Sequence, residues 1–522
     1  MNAASKPVQE TWFSVANPGV VNYNTNWLTK YIEKKFNVRI TWDLAPTSDV
    51  ATKLSLLMSS GNYPAIIWDG TMSQSQVEQY GHEGILVPLN SLLKRYAPVV
   101  YKAMLTSPSD LKRGWTAPNG EIYGISSDNY NYPQLWQNKM WVNSSLLKKY
   151  RLSMPTTTAQ LTHVLEVLKK HGITGIEGAS NGWQSNPVPF LMDAFIYDNG
   201  TNLFTVNSKG QLAFAPVQTQ WRQGLEYIHS LYANRLITSG AITQSVSLMD
   251  RADSAGKVFA FPSGDPQSGL ANVNGYLGWT TMPALKGPGG IRYATISLPL
   301  PTSLQFFITN KATIAQKIAI MKILNWMWTP IGSNIAYSGP EYKMWVPAPK
   351  GTKNMVGGQA MFKGLPAANT EYTNDIYTWG SGGTGPMRGG NRRNTYYFEA
   401  SPPNSLAGQY TTFLEINTLN KYAGLQPKEV ASGMTWLPSA DLQTYSVEST
   451  NIYNYVSQWE DEFIVGTKAL TNANWRAYLN GLHKLDLSQF TQLSVKAMGK
   501  PVNTSPWQNK PKIYTFLKKL EK

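Results

Sequence analysis

VRITWDLAPTSDVATKLSLLMSSGNYPAIIWDG, residues 38–70, decides the fold. Val38, Ile40, Trp42 and Leu44 alternate with their neighbours, the period of a half-buried strand. A helix follows: Ser48 is its expected N-cap, Val50, Leu54, Leu57 and Met58 form its apolar stripe, and Gly61 stops it. Ala65-Ile66-Ile67-Trp68 is a second short strand, closed by Asp69-Gly70. Just upstream, Trp27, Leu28, Tyr31, Ile32 and Phe36 recur at helical spacing. Helix and strand in alternation mark an α/β layer with parallel strands.

The alternation returns further along. Pro155-Thr156-Thr157-Thr158 opens a helix with Leu161, Val164, Leu165 and Leu168 inward and Gly172 at its end. Residues 216–236 read as a longer helix with Trp221, Leu225, Ile228, Leu231 and Tyr232 on one face. Lys257 to Phe261 is a strand ending at Pro262. Residues 312–328 are a helix with Ile314, Ile318, Met321 and Leu324 inward, and the last third is helical over 441–465, 472–484 and 488–497. Residues 378–404, rich in Gly, Arg and aromatics, read as a long loop, a feature usually functional or disordered.

Composition narrows the function. The chain has 522 residues, enough for two to four domains. Lys and Arg number 46 and Asp and Glu 31, a net charge of +15, yet charged residues are only 15% of the chain. An ordinary soluble protein carries about 25%, so the excess reflects scarce carboxylates. Few carboxylates suit an acidic exterior, a hypothesis that stability retained near about pH 3 would support. With no cysteine there is no disulfide, thiolate metal site or cysteine nucleophile. Five His leave little room for a histidine metal cluster, and no uncharged apolar run reaches the roughly 18 residues of a membrane span. The start, Met1 to Lys6, reads as a trimmed mature terminus behind an added Met.

Catalytic motifs fail on context. Gly178-Ala179-Ser180-Asn181-Gly182 fits G-x-S-x-G, but Pro187-Val188-Pro189 follows where a nucleophile elbow needs a helix. Gly380 to Gly385 fits G-x-G-x-x-G, but Pro386 and Gly389-Gly390 preclude the helix a dinucleotide site requires. Glu460-Asp461-Glu462 lies on a polar helix face, and nothing points to the carboxyl pair of a glycosidase. No nucleic-acid module is present, so nucleic acid is not expected as a partner.

A set of ordered landmarks carries a resemblance. Lys53 to Ile67 places a helix end at Ser60-Gly61 before Pro64-Ala65-Ile66-Ile67; Gly84-Ile85-Leu86-Val87-Pro88-Leu89-Asn90 and Tyr96-Ala97-Pro98 follow. Then come Pro118-Asn119-Gly120-Glu121-Ile122-Tyr123, Pro155-Thr156-Thr157, Gly256-Lys257-Val258, Ile308-Thr309-Asn310-Lys311 and Phe463-Ile464-Val465-Gly466 with Trp475 and Tyr478. Together they resemble the extracytoplasmic solute-binding proteins of ABC sugar importers, in the large lipoprotein branch that includes the alginate-oligosaccharide binders. Ala65 departs from the branch, which usually has Asp after that Pro.

The resemblance implies an α/β fold of two lobes with a hinge, an interlobe cleft and extra C-terminal helices. It divides the chain into an N-terminal lobe, 1–137 with 302–378, and a C-terminal lobe, 138–301 with 379–522. It implies a non-enzymatic monomer that captures an oligosaccharide and delivers it to ABC permease subunits, as a cell-surface lipoprotein or in the periplasm. Its only membrane attachment would be a lipid anchor in the precursor. A carbohydrate-active hydrolase, or a binder of acidic uronate oligosaccharides or of peptides, is the alternative. Many members carry a calcium loop after the helix that starts at Pro-x-Thr. Here Lys169 to Glu177 lacks the spaced oxygen ligands calcium needs, so no metal or cofactor is expected.

A sugar ring presents hydroxyls at its rim and C–H groups on its faces. Its binder needs flat aromatics with polar handles and groups that donate and accept. Ligands in open α/β sheets lie beyond strand carboxyl ends. Trp12, Trp68, Asp69, Trp183, Trp279 and Trp379 are the candidates on loops and strand ends, with Tyr130, Tyr132 and Trp136 before the first lobe crossing. Arg388 and Arg392 are the candidates for an anionic ligand.

Overall fold

The computed structural model describes residues 6–46, 48–70, 72–107, 110–128, 135–182, 184–254, 256–264, 278–298, 303–354, 358–365, 377–379, 398–399, 421–433 and 436–508. The chain divides into two compact units. Unit 1 comprises Met1–Asn131, Pro299–Ala400 and Met434–Leu442; unit 2 comprises Tyr132–Leu298, Ser401–Gly433 and Gln443–Lys522.

Unit 1 begins with β1 (Val8–Val15), α1 (Trp27–Phe36) and β2 (Val38–Ala45). β1 and β2 run parallel in register from Val8↔Val38 to Val15↔Ala45. Asn26 starts α1 by accepting from Leu28 N at 3.0 Å, and Asn37, at φ 52, ends it. Leu28 and Ile32 bury its apolar stripe, each contributing roughly 1.5–3 kcal/mol. α2 (Val50–Ser59) starts from Asp49 rather than Ser48, with no side-chain cap bond, and buries Leu54 and Met58. β3 (Ile66–Ile67) lies parallel to β1. α3 (Gln74–His82) has a reciprocal capping box between Ser73 and Gln76. α4 (Asn90–Tyr96), α5 (Pro98–Thr106), α6 (Leu111–Trp115) and β4 (Gly124–Ile125) follow.

Unit 2 takes up the chain with β5 (Met140–Asn143), α7 (Ser144–Lys149), α8 (Thr158–Lys170) and β6 (Thr174–Ile176). α9 (Val188–Met192), the hairpin β7 (Phe204–Val206) and β8 (Leu212–Phe214), and α10 (Thr219–Ala233) come next. α11 (Val246–Ser254), β9 (Val258–Pro262) and β10 (Trp279–Thr281) complete this passage. The sheet order is β10-β5-β9-β6, with β6 parallel to β9 and β5 antiparallel to both β9 and β10. Thr157 caps α8 by accepting from Gln160 N at 3.1 Å, and Leu161, Val164, Leu165 and Leu168 are all buried. α10 is shorter than 216–236 because Ala215–Val217 forms a separate 3₁₀ turn before it.

The chain then supplies unit 1 with β11 (Phe306–Ile308), α12 (Ile314–Met327) and α13 (Pro330–Ser338). β11 is antiparallel to β3 and β4, giving the five-stranded order β2-β1-β3-β11-β4. Met321 and Leu324 are buried as the helical period requires, but Ile314 is 76% exposed. The residue sits at the first position of α12, where the helix has not yet reached the core, so periodicity misplaces it. α14 (Ser439–Val465), α15 (Asn472–Lys484) and α16 (Leu487–Met498) make up the helical tail. Among the described residues no helix is long and apolar enough to cross a membrane.

Candidate functional site

Three parallel strands place a row of indoles on one face of the unit 1 sheet. Register pairs Trp12 with Trp42 on one side and with Ile66 on the other. Alternate residues share a face, so Glu10, Trp12, Trp42 and Trp68 project to the same side. The rings sit in the carboxyl-terminal halves of β1 and β2 and just past the end of β3. Trp12 stacks on Trp68 at 4.8 Å with an interplanar angle of 16°, and meets Trp42 edge-on at 5.4 Å. Trp379 closes the group from a distant part of the chain, edge-on to Trp42 at 4.9 Å, Trp68 at 5.7 Å and Trp12 at 5.8 Å. Its indole is held by a 2.9 Å bond from Nε1 to Thr29 Oγ1 on α1. Tyr23 packs edge-on to Trp42 at 5.1 Å.

The cluster is tight: Trp12, Trp68 and Trp379 are 0%, 1% and 2% exposed, while Trp42 retains partial exposure. Its polar groups are incompletely used. Trp12 Nε1 donates to Glu10 Oε2 at 2.6 Å. Trp42 Nε1, Trp68 Nε1 and Glu10 Oε1 are buried with no hydrogen-bond partner among the described residues. Such orphans are rare in folded proteins and call for an explanation. Burial pushes the Glu10 carboxyl up to about 7, against the lowering effect of the Trp12 bond. Asp69, beside Trp68, is also buried. Burial and then the Asp69 carboxylate raise the Tyr23 hydroxyl, after an opposing bond from Asn17 N.

Of the sequence candidates, the structure brings Trp12, Trp68 and Trp379 together, with Asp69 adjoining. Trp136 and Trp279 lie in unit 2. Trp136 is buried, with Nε1 unpartnered among the described residues, and its carbonyl accepts from the buried ammonium of Lys139. Trp279 packs on Phe261 at 5.0 Å in an apolar cluster with Trp141, Ala179 and Met249. Tyr130, Tyr132, Trp183, Arg388 and Arg392 lie outside the described residues.

Sequence reasoning missed Trp42, Glu10 and Tyr23 as parts of this site. The alternation of β2 marked Trp42 as inward, but only cross-strand register sets it beside Trp12. Glu177 was also missed. It is buried past β6 and accepts from Thr238 Oγ1 and Gln244 Nε2, both at 2.8 Å. Ser180 in the G-x-S-x-G stretch donates to the backbone oxygens of Thr243 and Gln244. Among the described residues no three His, Asp or Glu side chains group as a metal would need.

Comparison with known proteins places the family and the fold. The sequence profile of the family described as bacterial extracellular solute-binding protein matches residues 22–332. A relative from Streptococcus pneumoniae, the fructooligosaccharide ABC transporter substrate-binding protein FusA, is 26% identical over 283 residues. The match spans 52% of this chain and 52% of that protein, about half the length of each. The solved structure of FusA with kestose superposes with a TM-score of 0.71 at 19% identity, covering 94% of this chain and 98% of that one. A human-milk-oligosaccharide-binding protein from Bifidobacterium longum infantis gives 0.74 at 16% identity, covering 95% and 99%. Alginate-binding AlgQ2 without calcium gives 0.63 at 18% identity, covering 95% and 99%. These likenesses establish the α/β fold of two-lobe solute-binding proteins. With the family profile running through well over half of its length, the chain belongs to the bacterial extracellular solute-binding proteins.

Proposed function

We propose that this chain is the capture component of an ABC importer and that its ligand is an oligosaccharide. The observation that carries the reading is the unit 1 indole row, with two indole N–H groups and one carboxyl oxygen that have no partner among the described residues. Stacked rings suit the C–H face of a sugar, and the orphan donors and acceptor suit its hydroxyls. The names of the relatives support the same class: a fructooligosaccharide, milk oligosaccharides and alginate are their ligands. In this reading Trp42, which keeps partial exposure, fronts the sugar-facing wall, with the buried Trp12, Trp68, Trp379 and Asp69 packed behind it, and units 1 and 2 are the lobes. The protein performs no catalysis, works as a monomer outside the cytoplasm and hands its ligand to a membrane permease. A lipid anchor on the precursor holds it there.

The test is a thermal-shift and calorimetric screen of fructooligosaccharides, milk oligosaccharides, uronate oligomers and peptides. Binding predicts a melting temperature that climbs with ligand concentration. One sugar class is expected to give that climb with no change in the sugar recovered. Recovery of shortened products, or a response to peptides alone, would sink the proposal.

A further inference from the structure

One end of unit 2 is dense in exposed cations. α7 ends in Lys148-Lys149, followed by Tyr150-Arg151, and α8 ends in Lys169-Lys170, followed by His171. α10 ends at Ala233, followed by Asn234-Arg235. Side chains tie the three ends together. Tyr150 stacks on His171 at 4.4 Å and 21°, and Lys169 Nζ donates to Asn234 O at 2.7 Å. Lys257 joins them, because its carbonyl accepts from Thr174 N at 2.9 Å where β6 begins.

Lys148, Lys149, Arg151, Lys170, Arg235 and Lys257 are all exposed, and no carboxylate among the described residues pairs with them. Helix C-termini carry a partial negative charge that attracts one cation each. Here the ends of α7 and α8 carry more than that, Arg235 follows α10, and the start of a strand adds Lys257. Arg151 and Arg235 sit at φ 54 and 52, a left-handed backbone that glycine adopts freely and other residues do not. At both sites an arginine stands where a helix end ordinarily takes glycine. None of the large exposed apolar side chains belongs to these segments, so the surface offers charge without an inserting wedge. It lies where β6 and β9 begin, whereas ligands of parallel α/β sheets gather at the opposite strand ends.

We propose that this end of unit 2 docks on anionic phospholipid headgroups and holds the protein against the membrane face. The partner follows from the chemistry of the patch and rests on the reading that the protein serves a membrane permease. Each Lys near an anionic bilayer strengthens attachment by about fivefold. The attraction fades with salt as the screening length shortens.

The experiment uses the full chain with phosphatidylcholine vesicles, with and without phosphatidylglycerol, at low and physiological salt. Two variants of equal net charge are compared. One is Lys148→Gln/Lys149→Gln/Lys170→Gln/Lys257→Gln; the other is Lys34→Gln/Lys94→Gln/Lys112→Gln/Lys322→Gln, which removes exposed lysines of unit 1. The native chain is expected to sediment with anionic but not neutral vesicles, less so as salt rises. The unit 2 variant should bind at least about thirtyfold more weakly, and the unit 1 variant within about threefold of native. Sugar-induced thermal shifts should survive in both variants, which certifies folding and separates this proposal from the ligand assignment. Equal losses in the two variants would reduce the effect to net charge and overturn the proposal. So would indifference to phosphatidylglycerol, or retention on soluble polyphosphate with none on vesicles.

Discussion

Replacing Glu10 with Gln should make the protein more stable at alkaline pH and no more so at acid pH, relative to the native chain. Glu10 is 2% exposed, and its carboxyl is pushed from an ordinary 4.5 up to about 7. The folded state therefore holds a proton that the unfolded chain releases above 4.5. The stability this proton supplies is whole below 4.5 and drains away as pH rises through 7. At about 1.4 kcal/mol per pH unit, the interval corresponds to about 3 kcal/mol. Glutamine keeps a carbonyl oxygen for the Trp12 N–H, so the 2.6 Å contact retains its acceptor while the titration disappears. Urea unfolding followed by tryptophan emission between pH 4 and pH 8 measures this directly. The native chain should lose stability across the range, and the difference between variant and native should widen by about 3 kcal/mol toward pH 8. Parallel profiles would show that Glu10 ionises in the fold at little cost and that burial does not raise its carboxyl.

Other consequences can be checked alongside. Trp68→Phe keeps a ring against Trp12 but deletes the N–H that has no partner among the described residues; sugar affinity by calorimetry should drop about tenfold with the melting temperature nearly unchanged. Trp279→Ala empties a place between Phe261 and Met249 and should cost about 3–5 kcal/mol in chemical unfolding. Thr157→Ala removes the acceptor for Gln160 N and should lower stability by about 1 kcal/mol. Gly175→Ala should fail to give soluble protein, since a Cβ there would lie 2.1 Å from the Leu236 carbonyl oxygen, which is backbone and cannot turn aside.

Much of the fold was legible because its signals are local. The strand at Val38 to Leu44, the stripe of α8 and the Thr157 cap each lie within one element, and the structure forms all three, although the alternate burial of β2 is clear only over Val38–Thr41. Two errors have the same origin. Ser48 and Asp49 are both good caps, and the choice between them depends on how the chain leaves β2. Ile314 obeys the period of α12 but stands one turn outside the packed region. The indole site was legible only in pieces. Trp12 and Trp68 stood out as strand-end aromatics and Trp379 as a loop tryptophan, each for its own reason. Their meeting with Trp42 and Glu10 is a fact of strand register and of a contact between residues 29 and 379, which no spacing rule encodes.

The near-parallel stack of Trp12 on Trp68 also has an optical consequence. Two indoles at 4.8 Å share their electronic excitation, so the pair absorbs and rotates light as one chiral chromophore rather than as two tryptophans. With Trp42 and Trp379 set edge-on around it, the group should give a near-ultraviolet dichroism couplet from unit 1 alone. Any movement of one ring, by proton, sugar or substitution, would then be visible without a label.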